Sequence, residues 1–175
     1  MTIPSIQSVG FCVNYSEQGD WAFDFSLDLA RRQGLQLNIF HFLTDPYDEN
    51  GASVQRLSRE ERVQLTVEME KKMRLYYDER LGDYLDVGFR LCEDNEWTEL
   101  HRCLTKQEFQ LLVLAYPHRD ATFGTKPLET FANGFVCPVV LVGPDSPQQL
   151  RLNSPAWIQA YRFGVDREKC EPLNT

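Results

Sequence analysis

Two kinds of apolar segment alternate along this chain: short runs, and longer stretches in which large side chains recur every three or four residues. Val9-Gly10-Phe11-Cys12-Val13 is the first run. It stops at Asn14-Tyr15-Ser16-Glu17, a turn in which Asn14 or Ser16 can cap a helix. Ala22, Phe25, Ser26, Leu29 and Ala30 then keep helical spacing, and Gly34 suits a left-handed helix end. Leu35–Phe42 reads as a second strand. Its alternation of Leu35, Leu37 and Ile39 fades toward Phe42, so its end should be covered on both faces.

Pro46 and Asn50-Gly51 punctuate the next stretch as turns. Ser58-Arg59-Glu60-Glu61 matches a capping box, with Ser58 as N-cap. The helix it opens should run to about Leu81, with Leu65, Met69, Met73, Tyr76 and Tyr77 on its apolar side and a charged, solvated opposite side. Val87–Cys92 predicts a third strand, and Asp94 or Asn95 can cap a short helix carrying Trp97, Leu100 and Leu104. Phe109–Ala115 is a near-continuous apolar run and a fourth strand. Residues 123–133 are compatible with a helix that Gly134 ends. Cys137–Val142 is the fifth strand, with Pro138, which has no N–H to donate, near its start.

Strands separated by helices imply parallel pairing and right-handed crossovers. The expected fold class is α/β, a five-stranded parallel doubly wound sheet. Ligands in such sheets bind beyond the carboxyl ends of the strands, near the switch in strand order. The loops after Val13, Phe42 and Ala115 are therefore the places for a site. The pattern divides the chain into residues 1–143 and a C-terminal extension, 144–175. Ser154-Pro155 and Gly164 bracket a short amphipathic helix at 155–163, whose Trp157 and Tyr161 should bury against the sheet edge or a partner.

Composition narrows the function classes. The 175 residues suit one domain, and 42% hydrophobic with 25% charged argues against disorder. No apolar run approaches the roughly 20 residues of a membrane span, and Met1-Thr2-Ile3-Pro4 opens no signal peptide. A net charge of −8 repels phosphate backbones, which disfavours nucleic acid as a partner. Cys12, Cys92, Cys103, Cys137 and Cys170 are odd in number and widely spaced, so reduced thiols in a cytoplasmic protein are expected.

Candidate chemistry is sparse. The loop after the first strand has one late glycine and no phosphate-loop motif. Cys12 at a strand end lacks the nearby Arg that would activate it, so it reads as a buried structural thiol. His41, His101 and His118 are far apart in sequence and read as a strand-end, a helix-surface and a loop residue. The best anion niche is Gly124-Thr125-Lys126, at the expected start of the last crossover helix, with His118 or Arg119 nearby. Pro127 removes one donor there and Glu129 adds opposing charge.

Taken in order, several of these pieces resemble the universal stress protein family over residues 5–143. They are Val9–Val13 with Asn14-Tyr15-Ser16, the small-residue helix of Ala22, Ser26 and Ala30, and Ile39-Phe40-His41-Phe42. The long second helix, Leu112-Val113-Leu114-Ala115, Gly124-Thr125 and Cys137-Pro138-Val139-Val140-Leu141-Val142 complete the likeness. The resemblance implies a fold like that of the adenine nucleotide alpha hydrolases, and a homodimer through the last strand, Val139, Val140, Leu141 and Val142. Some members bind ATP through G-x2-G-x9-G-[ST]. Here Ala115 and His118 fall on the first two glycines, the loop to Gly124-Thr125 is four residues short, and Asn14 stands where an Asp is usual. The glycines that admit phosphates are thus lost. The expected function is non-enzymatic: a stress-response dimer acting through partners, with weak or absent ATP binding, no cofactor and no metal. The alternative is an ATP- or AMP-binding switch or slow ATPase with a remodelled phosphate loop. An unrelated small-molecule enzyme on the same fold stands third. The cofactor-binding candidates are Asn14, Ser16, Phe42, His118, Gly124, Thr125 and Lys126.

Overall fold

In the computed structural model, which describes residues 5–48, 57–92 and 97–173, the expected strand–helix alternation is present. The chain runs β1 (Ser8–Cys12), α1 (Glu17–Gln33), β2 (Gln36–Phe42), α2 (Arg59–Leu81), β3 (Val87–Cys92), α3 (Trp97–Thr105) and β4 (Leu111–Ala115). Two two-residue strands, β5 (Thr122–Phe123) and β6 (Lys126–Pro127), pair as a small antiparallel hairpin. After it come α4 (Leu128–Gly134), β7 (Val139–Val142), β8 (Leu150–Leu152), α5 (Ser154–Ile158) and β9 (Cys170–Pro172). Short 3₁₀ turns at Ala160–Phe163 and Arg167–Lys169 bridge α5 to β9.

The main sheet has seven strands in the order β3-β2-β1-β4-β7-β8-β9. The first five are mutually parallel and form the expected sheet. β8 then adds antiparallel to β7, and β9 adds parallel to β8. The strand count therefore exceeds the expected five, because the stretch after Val142 returns to the sheet instead of leaving it.

Alternating side chains feed two cores. On one face Val9, Phe11, Leu37, Ile39, Val113 and Val140 meet α1, α2 and the 150–163 segment, through residues such as Phe23, Leu29, Met73, Tyr77 and Phe163. On the other, Cys12, Phe40, Leu112, Leu114 and Leu141 meet α3 and α4 through Leu100, Cys103, Leu128 and Phe131. α1 and α2 cover one face and α3 and α4 the other, so the crossover direction reverses between β1 and β4.

Local chemistry sets the helix ends. Ser16, rather than Asn14, caps α1, accepting from the Gly19 N–H at 3.0 Å, and the Ser16 hydroxyl donates to Asn14. Ser58 caps α2 by accepting from the Glu61 N–H at 3.1 Å. Of the expected α2 stripe, Met73 and Tyr77 are buried and Leu81 joins them, while Leu65, Met69 and Tyr76 stay partly exposed. The capping choice at Asp94 or Asn95 and the Asn50-Gly51 turn lie outside the described residues.

Three expectations are corrected. The helix expected over 123–133 spans only Leu128–Gly134, because Gly124 takes the left-handed conformation (φ +66°) at the turn of the β5–β6 hairpin. The helix expected over 155–163 breaks into α5 and a 3₁₀ turn; within it Ala156, Ala160 and Phe163 are buried, Trp157 is half-buried, and Tyr161 is 71% exposed. The Val139–Val142 strand is not an edge. Its two hydrogen-bonding sides are taken by β4 and β8, so pairing with a second copy through it is blocked in this structure.

α1 and α3 end in the same motif with different residues. Beyond α1, Gly34 sits at φ +66° and Leu35 N–H reaches Ala30 O at 2.9 Å. Beyond α3, Gln107 occupies the equivalent position at φ +62°, with Gln107 N–H on Leu104 O and Glu108 N–H on Cys103 O, each 2.9 Å. A side chain costs about 1 kcal/mol in that conformation, where glycine is free of the Cβ clash. Gln107→Gly should therefore raise stability, by up to about 1 kcal/mol after glycine's extra chain entropy is subtracted. Urea or thermal unfolding checks this, and a loss of stability would contradict the strain.

Candidate functional site

The reversal in crossover direction places a crevice beyond the carboxyl ends of β1 and β4, where a doubly wound sheet takes its ligand. In this chain that space is occupied by the turn after β2. Asp45-Pro46-Tyr47-Asp48 closes on itself, with Tyr47 N–H on the Asp45 carboxylate at 2.9 Å and Asp48 N–H on Asp45 O at 3.2 Å. The turn carries the Tyr47 ring over the strand ends, where it packs against both cores. The Tyr47 hydroxyl donates to the carbonyl of Ala115, the last residue of β4, at 2.9 Å. Burial raises the Tyr47 phenol well above its ordinary value, so it keeps the proton it donates.

The hairpin closes the crevice from the other side. Phe123 meets Tyr47 edge-on at 5.2 Å between ring centres and Phe42 at 6.2 Å. Gly124 N–H donates to Pro46 O at 2.7 Å. That amide, one donor of the expected anion niche, is thus already spent.

The candidate residues do not converge on one spot. Asn14 and Phe42 line a common cavity, and Ser16 is held against Asn14 as the α1 cap. Phe42 touches the hairpin through Phe123, and Gly124 is bonded to Pro46 in the turn after β2. Thr125 and Lys126 are exposed on the hairpin, and Pro127 precedes α4 without a side-chain cap. His118 is exposed in the β4–β5 loop, where its carbonyl accepts from Ala121 N–H. Beside it Arg119 pairs with Asp145 at 3.1 Å, a surface contact worth little on its own. The sequence reading missed Pro46 and Tyr47 as site residues. The available signal was an Asp-Pro-aromatic turn directly after a strand whose end should be covered on both faces.

The cavity shared by Asn14 and Phe42 measures about 220 Å³, between the carboxyl ends of β1 and β2 and the flank of α2. Tyr15, His41, Asp45, Met69 and Lys72 complete much of its wall. The Lys72 ammonium lies 4.2 Å from the centre of the Tyr15 ring, a cation–π contact. Burial raises the Tyr15 phenol to about 12. His41 sits 8% exposed, with Nδ1 2.9 Å from Phe42 O and Nε2 buried without a hydrogen-bond partner. Facing a carbonyl, Nδ1 carries the proton, which leaves Nε2 as an acceptor.

A larger groove of about 350 Å³ lies toward the amino ends of β2 and β3, lined by Gln36, Asn38, Arg90 and Glu108 among others. Arg90 there is engaged by Glu108 and Glu99, and the amino ends are the wrong side of a parallel sheet for a ligand. Cys12, Cys92 and Cys103 are buried near one another, and burial pushes all three thiols up, Cys103 to about 12. Protonated thiols make poor nucleophiles. Among the described residues no three His, Cys, Asp or Glu side chains are placed to hold a metal ion, and no helix is long and apolar enough to cross a membrane.

No family model matches the sequence, and no curated protein matches it. Solved structures do match the fold. A universal stress protein family member from Burkholderia pseudomallei superposes with a TM-score of 0.51 at 19% identity, over 79% of this chain and 96% of its own. Universal stress protein UspA from Lactobacillus plantarum gives 0.54 at 16% identity, over 78% and 97%. A universal stress protein from Archaeoglobus fulgidus gives 0.52 at 13% identity, over 77% and 92%. This chain has the universal stress protein fold. Each of those proteins is covered nearly end to end, while part of this chain has no counterpart in them. On this universal stress protein scaffold, the crevice between β1 and β4 is filled by the chain's own Tyr47 and Phe123.

His41 yields a pH prediction. Burial lowers its affinity for a proton below the ordinary value of 6.5; Lys72 acts in the same direction, while Phe42 O and Asp45 oppose. The unfolded chain then binds more protons than the folded one just below pH 6.5, so stability rises with pH through that window. Lowering the pH from 7 to 5 should cost stability, by at most about 1.4 kcal/mol per pH unit from this group. His41→Gln should flatten that part of the profile, as read by urea unfolding at each pH. An identical slope in the variant would show that His41 does not set the pH dependence.

Proposed function

We propose that this chain is a universal stress protein-like module that catalyses no reaction and serves a stress response by contacting another protein, with ATP binding weak or absent. One observation carries the reading. The crevice at the switch of strand order, where a doubly wound sheet takes its ligand, holds Tyr47, hydrogen-bonded to Ala115 O, and the Gly124 amide is bonded to Pro46 O. Opening the crevice would break both bonds and expose aromatic surface of Tyr47 and Phe123, costs a nucleotide must overcome before gaining any contact. The five unbonded cysteines fit a reducing compartment such as the cytoplasm.

The second reading, a switch that binds ATP or AMP through a remodelled phosphate loop, keeps one support: the 220 Å³ cavity beside Asn14 and Phe42. Lys72 at its rim adds positive charge there.

Calorimetric titration of the purified protein with ATP and magnesium, and separately with AMP, distinguishes the two. The expected result is no binding tighter than about 100 μM, roughly 5.5 kcal/mol. Micromolar binding of either nucleotide would overturn the closed-crevice reading in favour of the switch.

A further inference from the structure

A parallel sheet that stops at a bare apolar strand invites pairing with another chain, so how β7 is finished matters for assembly. Here the same chain finishes it. Val140 lies opposite Leu152 and Val142 opposite Leu150, and the ladder is closed by Gly143 N–H on Gln149 O (2.9 Å) and Asn153 N–H on Val139 O (3.2 Å). The antiparallel sense is the one in which a two-fold-related copy of β7 would arrive.

Asn153 fastens this added strand. It is fully buried, and its side-chain oxygen accepts from Val139 N–H at 2.9 Å and Ala156 N–H at 3.0 Å. Its amide nitrogen donates to Ala132 O at 3.0 Å and Cys137 O at 2.9 Å. The full hydrogen-bonding capacity of the amide is thereby used on β7's start, α4 and α5. Leu152, Ala156, Ala160 and Phe163 then enter the core that holds Val9, Phe11 and Val140. The new edge, β9, is three residues long, ends in Pro172 and places Glu171 3.4 Å from Arg151. A short edge with a proline and a charge is a poor template for another chain.

We propose that residues 150–172 take the place of a second subunit, so that the protein is a monomer whose sheet ends in its own chain. A second copy reaching β7 would have to strip away β8 and break the four hydrogen bonds of the Asn153 side chain.

A cross-link tests this directly. Val142 and Leu150 face each other between the two ladder bonds, the kind of antiparallel pair whose backbones lie closest, and within reach of a disulfide. Cys170 is opposite Leu150 on β9, so the pair Val142→Cys and Leu150→Cys is made in a Cys170→Ser background. Mild oxidation should give a single-chain product on a non-reducing gel. In parallel, the unmodified protein should sediment as a 20.4 kDa species from about 2 to about 200 μM. A bond formed between chains, or a wild-type dimer in that range, overturns the proposal. Sedimentation of the wild type decides the matter even if the double variant fails to fold.

Discussion

The turn after β2 is tied to the far side of the sheet by two hydrogen bonds, Tyr47 hydroxyl to Ala115 O and Gly124 N–H to Pro46 O. Those bonds join the end of β2 to two elements remote from it in sequence, the end of β4 and the β5–β6 hairpin. Because Tyr47 packs on both cores at once, it seals the line where the two layers of helices part. The aromatic chain Phe42, Phe123, Phe131 continues that seal toward α4. Filling the crevice buries apolar area at the place where a doubly wound sheet is otherwise open.

The same logic governs the other end of the sheet. β7 is wholly apolar and fully buried, which a bare edge would not permit. β8 supplies backbone partners, Asn153 supplies the hydrogen bonds that β8 is too short to make alone, and the 154–163 segment supplies apolar cover. Closing a site and closing an edge are separate events in this chain, yet both replace an external group with an internal one.

Much of this was legible in the sequence. Apolar or alternating runs of five to eight residues between helical stretches marked all five parallel strands, and Ser16, Ser58 and Gly34 marked helix ends where local chemistry fixes them. The hairpin at 122–127 was not legible, because Gly124 can either open a helix or turn a strand, and only its contact with Pro46 decides. β8 was missed for a related reason. Leu150-Arg151-Leu152 is too short for periodicity to speak, and it becomes a strand only because β7 lies beside it. The site was half-legible: the shortened, glycine-poor loop after Ala115 pointed to a closed crevice, but Tyr47, the group that closes it, sat in a turn whose side chain has no periodic signature. Tyr161 misled, since a large aromatic in a terminal segment reads as buried until the break between α5 and the 3₁₀ turn rotates it outward.

The crevice is held shut by the chain itself, and the Gly124 amide reports on that closure most directly. Its hydrogen exchange, resolved residue by residue in the ligand-free protein, separates a bonded donor from an open one. A locked turn predicts exchange slowed by orders of magnitude relative to exposed loop amides, with Tyr47→Phe releasing part of that protection. Exchange at the rate of an exposed loop in the unmodified protein would mean that the Pro46–Gly124 bond does not hold, and the crevice would be open.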